Sequence, residues 1–167
     1  VISEIDLSSN NVIGTLDSSR FFSTMYKLKS LKLANNKLDG TIDFNSFYQL
    51  QDLEYIDISQ NDLHGKVDVL LSPAIKHLDM SKNKLSSMSP FKRFKRSQQS
   101  LEVLDLSYNQ IHQDISEMLE NVPPNLKEFL VMGNDIHGTL PNPLPIMDSL
   151  ERFIVKENNI RGQIPDI

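Results

Sequence analysis

The sequence predicts an α/β solenoid: about seven coils, each giving a short strand to a parallel sheet on the concave side and a short helical or 3-10 turn to the convex side. Three observations predict it. An asparagine returns at Asn10, Asn36, Asn61, Asn83, Asn109, Asn134 and Asn158, with gaps of 26, 25, 22, 26, 25 and 24 residues. Each sits in the frame apolar-x-x-apolar-x-apolar-x-x-Asn-x-apolar, as in Leu28, Leu31, Leu33, Asn36 and Leu38. A Gly-x-apolar step then follows in Gly14–Leu16, Gly40–Ile42, Gly65–Val67, Gly138–Leu140 and Gly162–Ile164.

Each element of a coil has a physical reason. The two central apolar residues alternate with period two, which makes that stretch a strand. Where the strand turns away, buried N–H and C=O groups need partners, and an Asn side chain offers both donor and acceptor. The seven asparagines are therefore expected to bind backbone rather than ligand. Gly permits the tight turn that follows. Apolar pairs three residues apart (Phe22 and Met25, Phe47 and Leu50, Leu119 and Val122, Leu144 and Met147) suggest the convex turns.

The full frame, L-x-x-L-x-L-x-x-N-x-L-x-G-x-[IL]-P, resembles the plant-type leucine-rich repeat. The run from Leu150 to Pro165 meets every anchor, with Phe153 and Val155 in two leucine places. The resemblance covers the whole chain and implies a horseshoe whose repeats run 22–26 residues. In that family the fold serves receptor-kinase and receptor-like ectodomains, polygalacturonase inhibitors and some ice-binding proteins, so it implies a class and no particular partner. It favours an extracellular or membrane-tethered ectodomain over an intracellular protein. Departures are concentrated in the middle. Leu70, Leu71 and Pro73 replace a full convex segment, Ser87 and Ser89 stand where Gly and Leu or Ile are expected, and Gln113 takes a Gly place. Residues 1–167 are expected to be one repeat domain and a fragment of a longer array, since solenoid ends need caps.

Composition narrows function by exclusion. A net charge of −5 argues against nucleic acid. No apolar run approaches a membrane span. With no cysteine, thiolate catalysis, disulfides and zinc-thiolate sites are excluded within these residues. None of the asparagines lies in a glycosylation sequon. No nucleophile–base arrangement, phosphate loop or metal spacing appears, so neither an enzyme nor a cofactor is expected.

Function is left to the outward positions of the strands. One column, Lys29, Glu54, Lys76, Glu102, Lys127 and Glu151, alternates in sign and reads as a register-fixing charge ladder. Another holds Asp57, Asp79 and Asp105. This row suits either a Ca²⁺ or cationic-partner site or the common Leu-Asp-Leu-Ser pattern, with Ser59, Ser81 and Ser107 as hydrogen-bond partners. The second is preferred, because Ca²⁺ takes six to eight converging oxygens and a ladder spreads them out. Later coils turn apolar: Val103, Tyr108, Leu130, Met132 and Ile154, with Tyr55 and His77 at the edge, form the expected partner-binding surface. His64, His112 and His137 share an exposed turn column that lacks a third metal ligand. The basic run Lys92 to Arg96 is read as a solvated loop with Phe94, and Phe91 beside it, in the core.

The function expected is a recognition module for a protein or peptide ligand on the concave face. The alternatives are a polysaccharide or ice binder, or an inhibitor of a secreted hydrolase. An ice binder needs a regular array, and Thr15, Thr41 and Thr139 share their column with Lys66, Met88, Asp114 and Gln163.

Overall fold

The computed structural model describes residues 1–16, 24–67, 72–89 and 100–166. The convex residue Phe22, the pair Leu70 and Leu71, and the basic run with Phe91 and Phe94 lie outside them. The first coil gives β1 (Glu4–Asp6) and β2 (Ile13–Leu16), and the second gives β3 (Ser30–Lys32), β4 (Lys37–Ile42) and α1 (Phe44–Tyr48). The third and fourth give β5 (Tyr55–Asp57), β6 (Asp62–Val67), β7 (His77–Asp79) and β8 (Lys84–Met88). The fifth gives β9 (Val103–Asp105) and α2 (Ile115–Met118). The last two give β10 (Glu128–Leu130), β11 (His137–Thr139), β12 (Arg152–Ile154) and β13 (Asn159–Arg161).

Seven strands, β1-β3-β5-β7-β9-β10-β12, form one parallel sheet in chain order, which is the leucine-rich repeat architecture. The flank of the coil carries a four-stranded sheet, β2-β4-β6-β8, and a pair, β11-β13. The middle residue of each concave strand points inward. Leu31, Ile56, Leu78, Leu104 and Phe129 are buried there, each contributing about 1.5–3 kcal/mol by leaving water. The residues on either side of them point outward, and this alternation gives the concave surface its columns.

The asparagines tie the coils together. Asn61 Nδ2 donates to Leu33 O, Ile58 O and Ser59 O at 3.0–3.2 Å, while its Oδ1 accepts from Leu38 N–H at 3.0 Å. Asn36, Asn83, Asn109, Asn134 and Asn158 repeat the pattern, each accepting the N–H of a turn in the preceding coil. Among the described residues, Asn10 donates only within its own coil, to Leu7 O and Ser8 O. The residue before each asparagine is left-handed: Ser9, Asn35, Gln60, Lys82, Tyr108 and Glu157 have φ between 53 and 59°, and Gly133 has φ 66°. That conformation reverses the chain into the asparagine, and side chains other than Gly and Asn adopt it at a cost.

Two local expectations are corrected. Met88 does not join the exposed threonine column. The register shifts after Gly65, so that Ser87 lies opposite Lys66 and Met88 opposite Val67. Met88 is buried, and Gln113 Oε1 accepts its N–H at 3.1 Å. The fourth coil is one residue short here, and burial of the apolar side chain decides the register. On the convex side, residues 144–147 form no helix, and α2 starts earlier than the Leu119–Val122 spacing suggests. Asp114 sets that start by accepting Ser116 N–H at the helix N-cap.

Candidate concave binding site

Three outward columns build the concave face. The first residues of the strands are Glu4, Ser30, Tyr55, His77, Val103, Glu128 and Arg152. The third residues are Asp6, Lys32, Asp57, Asp79, Asp105, Leu130 and Ile154. Two positions further along come Ser59, Ser81, Ser107 and Met132. The face changes chemistry at the sixth coil, where the acidic third column becomes Leu130 and Ile154 and the serine column becomes Met132.

A groove of about 350 Å³ opens at this change, with Asp79, Asp105, Tyr108, Leu130, Met132 and Ile154 around it. Tyr108 is 43% exposed and reaches toward the sixth coil, its hydroxyl 3.7 Å from Met132 Sδ. It can lie there because residue 133 is glycine. A Cβ at Gly133 would come within 2.6 Å of Tyr108 Cδ1, and φ 66° favours glycine in any case. Of the seven candidate residues, Tyr108, Leu130, Met132 and Ile154 therefore share one groove. Tyr55, His77 and Val103 occupy the first column beside it. There the Tyr55 and His77 rings stack at 4.4 Å with 7° between their planes, and Lys32 Nζ lies 5.8 Å from the Tyr55 centroid.

The aspartate row is fixed from below. Asp57, Asp79 and Asp105 each accept the N–H of the serine two residues on, at 2.8–3.0 Å. Burial pushes the Asp79 carboxyl above the ordinary carboxylate range. The Ser81 hydrogen bonds oppose that, and the charges of Asp105 and Asp57 add to it. The folded-state value lies above that of the unfolded chain, so ionised Asp79 subtracts stability at neutral pH, and the penalty lifts as pH falls through the raised value. Asp79→Asn keeps the acceptor for Ser81 N–H. It is expected to raise the Tm at neutral pH, with a gain that shrinks on acidification. Thermal melts across pH check this, and an unchanged or lower neutral Tm would show that the carboxylate is not strained.

Ion pairs also lie on this face. Lys76 Nζ lies 2.8 Å from Glu54, Lys127 Nζ 2.7 Å from Glu102, Lys32 Nζ 2.6 Å from Glu4 and Arg152 Nη1 2.6 Å from Glu128. The hydrogen bonds and charges of Lys76 and Lys127 hold the Glu54 and Glu102 carboxyls below their usual range. These exposed pairs fix register more than they stabilise.

The histidine column forms a second polar cluster, on the flank. The His112 and His137 rings stack at 4.6 Å, and His112 Nδ1 lies 2.7 Å from Asp135 Oδ2. His64 stands apart, 3.9 Å from Asp39. Among the described residues no three His, Cys, Asp or Glu side chains converge as a metal site would require, and no helix is long and apolar enough to cross a membrane.

Comparison with known proteins places this architecture. Leucine rich repeat family models match residues 2–63 and 100–122. Receptor-like protein 41 of Arabidopsis thaliana is 29% identical over 156 residues, covering 91% of this chain and 17% of that protein. A plant peptide hormone receptor, RGFR1 in complex with RGF2, superposes with a TM-score of 0.82 at 27% identity, covering 96% of this chain and 25% of that one. A plant ice-binding protein superposes with a TM-score of 0.77 at 32% identity, covering 97% and 50%. The chain belongs to the leucine-rich repeat family, in its plant-type class. It spans between 10% and 19% of the length of the curated relatives it matches. Neither family model indicates an enzymatic family.

Proposed function

We propose that this chain is a recognition module that holds a protein or peptide partner against its concave face, across coils four to seven. One observation carries the reading. Tyr108, Leu130, Met132 and Ile154 converge on a single outward-facing groove, and Leu130, Ile154 and Met132 take positions that coils three to five fill with Asp and Ser. Apolar and aromatic side chains within a polar rim form the centre of protein interfaces. The receptor-like relative and the receptor solved with RGF2 support a receptor-like setting.

The likeness to an ice-binding protein favours no second reading. The flank column where a flat array would lie runs Thr15, Thr41, Lys66, Ser87, Asp114, Thr139, which mixes charge with hydroxyl and offers no repeated lattice.

The test begins with a random-peptide phage library selected on the immobilised chain. Leu130→Asp combined with Ile154→Asp should then weaken the selected peptides at least about 100-fold, since each anchor at an interface centre is worth roughly 2 kcal/mol or more. Both side chains point outward from their strands, so the far-UV circular dichroism and Tm should change little. Selected peptides that bind the double variant as tightly as the parent would place binding on another face.

A further inference from the structure

The chemistry of the partner follows from the floor and walls of the groove, and rests on the concave-face reading above. Asp57, Asp79 and Asp105 stand side by side on adjacent strands, and among the described residues none of them forms an ion pair. One oxygen of each is held by a serine N–H, which leaves the other for a ligand. The burial that lifts the Asp79 carboxyl is a cost that a bound cation relieves. Aromatic rings flank the row on both sides. The Tyr55–His77 stack lies on one, where Lys32 already sets its ammonium over the Tyr55 face, so a cation is accommodated there within the chain itself. Tyr108, laid over Gly133, is on the other. Two cations border the groove: Arg152 is neutralised by Glu128, and Lys82 stands exposed at the rim. The row then gives way to Leu130 and Ile154.

We infer that the groove takes an extended basic peptide, with an arginine or lysine side chain over the Asp57–Asp79–Asp105 row and an apolar side chain on Leu130 and Ile154. Arginine fits better, because its planar guanidinium both pairs with carboxylate and stacks on aromatic rings. Strand spacing sets the pattern. From the midpoint of Asp79 and Asp105 to that of Leu130 and Ile154 is two strands, ~9.6 Å, or about three residues of polyproline II chain at ~3.1 Å each, a conformation in which residues three apart share a face. The recognised motif is a basic residue and an apolar residue three positions apart.

The same library selection tests this through the composition of what it enriches. Enriched sequences should carry Arg or Lys three positions from Leu, Ile, Met or Phe. Replacing that basic residue by Glu should abolish binding. The Asp79→Asn, Asp105→Asn double variant should weaken it about tenfold or more while keeping both serine N–H acceptors, which thermal melts verify. The Asp39→Asn, Asp62→Asn double variant on the flank removes the same net charge and should change nothing; equal weakening would reveal mere attraction to an acidic protein and overturn the inference. Enriched peptides without a basic residue also overturn it. If those peptides still need Leu130 and Ile154, the concave reading survives alone, and if they ignore both double variants, the two readings fall together. A selection that enriches no sequence overturns the basic-peptide inference.

Discussion

Asn83→Leu is expected to cost about 3–4 kcal/mol of stability in equilibrium urea unfolding, whereas Asn10→Leu should cost less than about 0.5 kcal/mol. The difference comes from what each side chain serves. Asn83 is 7% exposed and its Oδ1 accepts Leu63 N–H at 3.0 Å. Its Nδ2 donates to Ile58 O, Met80 O and Ser81 O at 3.1–3.2 Å. With leucine in place, Leu63 N–H is left buried without an acceptor, a penalty of roughly 1–3 kcal/mol, and the apolar side chain keeps water from replacing the lost oxygen. The three carbonyls suffer less, because each keeps another donor: Asn61 on Ile58 O, Asn109 on Met80 O and Gln60 N–H on Ser81 O. Asn10 is exposed and, among the described residues, serves only its own coil, where water can substitute. Equal losses at the two positions would mean that the asparagines do not act as bridges between coils.

The same ladder explains how much of the fold was legible. The Asn spacing located all seven concave strands, because period-two burial and the need to satisfy the turn both recur with it. It did not carry the register past the turn in the fourth coil. Ser87 and Ser89 offer no glycine to align on, and only the buried position of Met88 reveals the missing residue. The left-handed column before each asparagine was also invisible. Gly133 and Asn35 are residue types that suggest such a conformation, but Lys82, Tyr108 and Glu157 are not.

For the candidate site, strand alternation was enough to say which side chains face outward. It could not say which of them meet. Leu130 and Ile154 are neighbours by register alone, but Tyr108 joins them only because Gly133, 25 residues later, leaves room for its ring. The Tyr55–His77 stack likewise depends on two side-chain rotations that sequence does not encode locally. The Leu-Asp-Leu-Ser pattern predicts a backbone role for the aspartate row, and one oxygen of each carboxylate does serve a serine N–H. Its place beside the groove, and the burial that strains Asp79, emerge only when five coils are stacked.

Phe129→Ala is expected to remove about 3–5 kcal/mol, and to remove it locally. Phe129 is fully buried and stacks on Phe153 at 5.9 Å with 12° between the rings, so truncation leaves a cavity shared by the last two coils. In a solenoid each coil is stabilised by itself and its neighbours, and damage does not spread evenly. Hydrogen exchange should therefore show lost protection at Val131, Gly133 and Arg152, whose N–H groups bridge the sixth and seventh coils, while Leu33, Asn35 and Ile58 keep theirs. Phe129→Leu, which fills more of the space, should cost less than about 1.5 kcal/mol and restore the pattern. Binding should follow the damage. Leu130 adjoins Phe129 on β10 and Met132 lies two residues beyond Leu130, so the apolar half of the groove loses its support, while the Tyr55–His77 stack, three and two coils away, stands. A uniform loss of protection would instead mean that the seven coils fold as one cooperative unit, and that the groove cannot be disabled without the whole sheet.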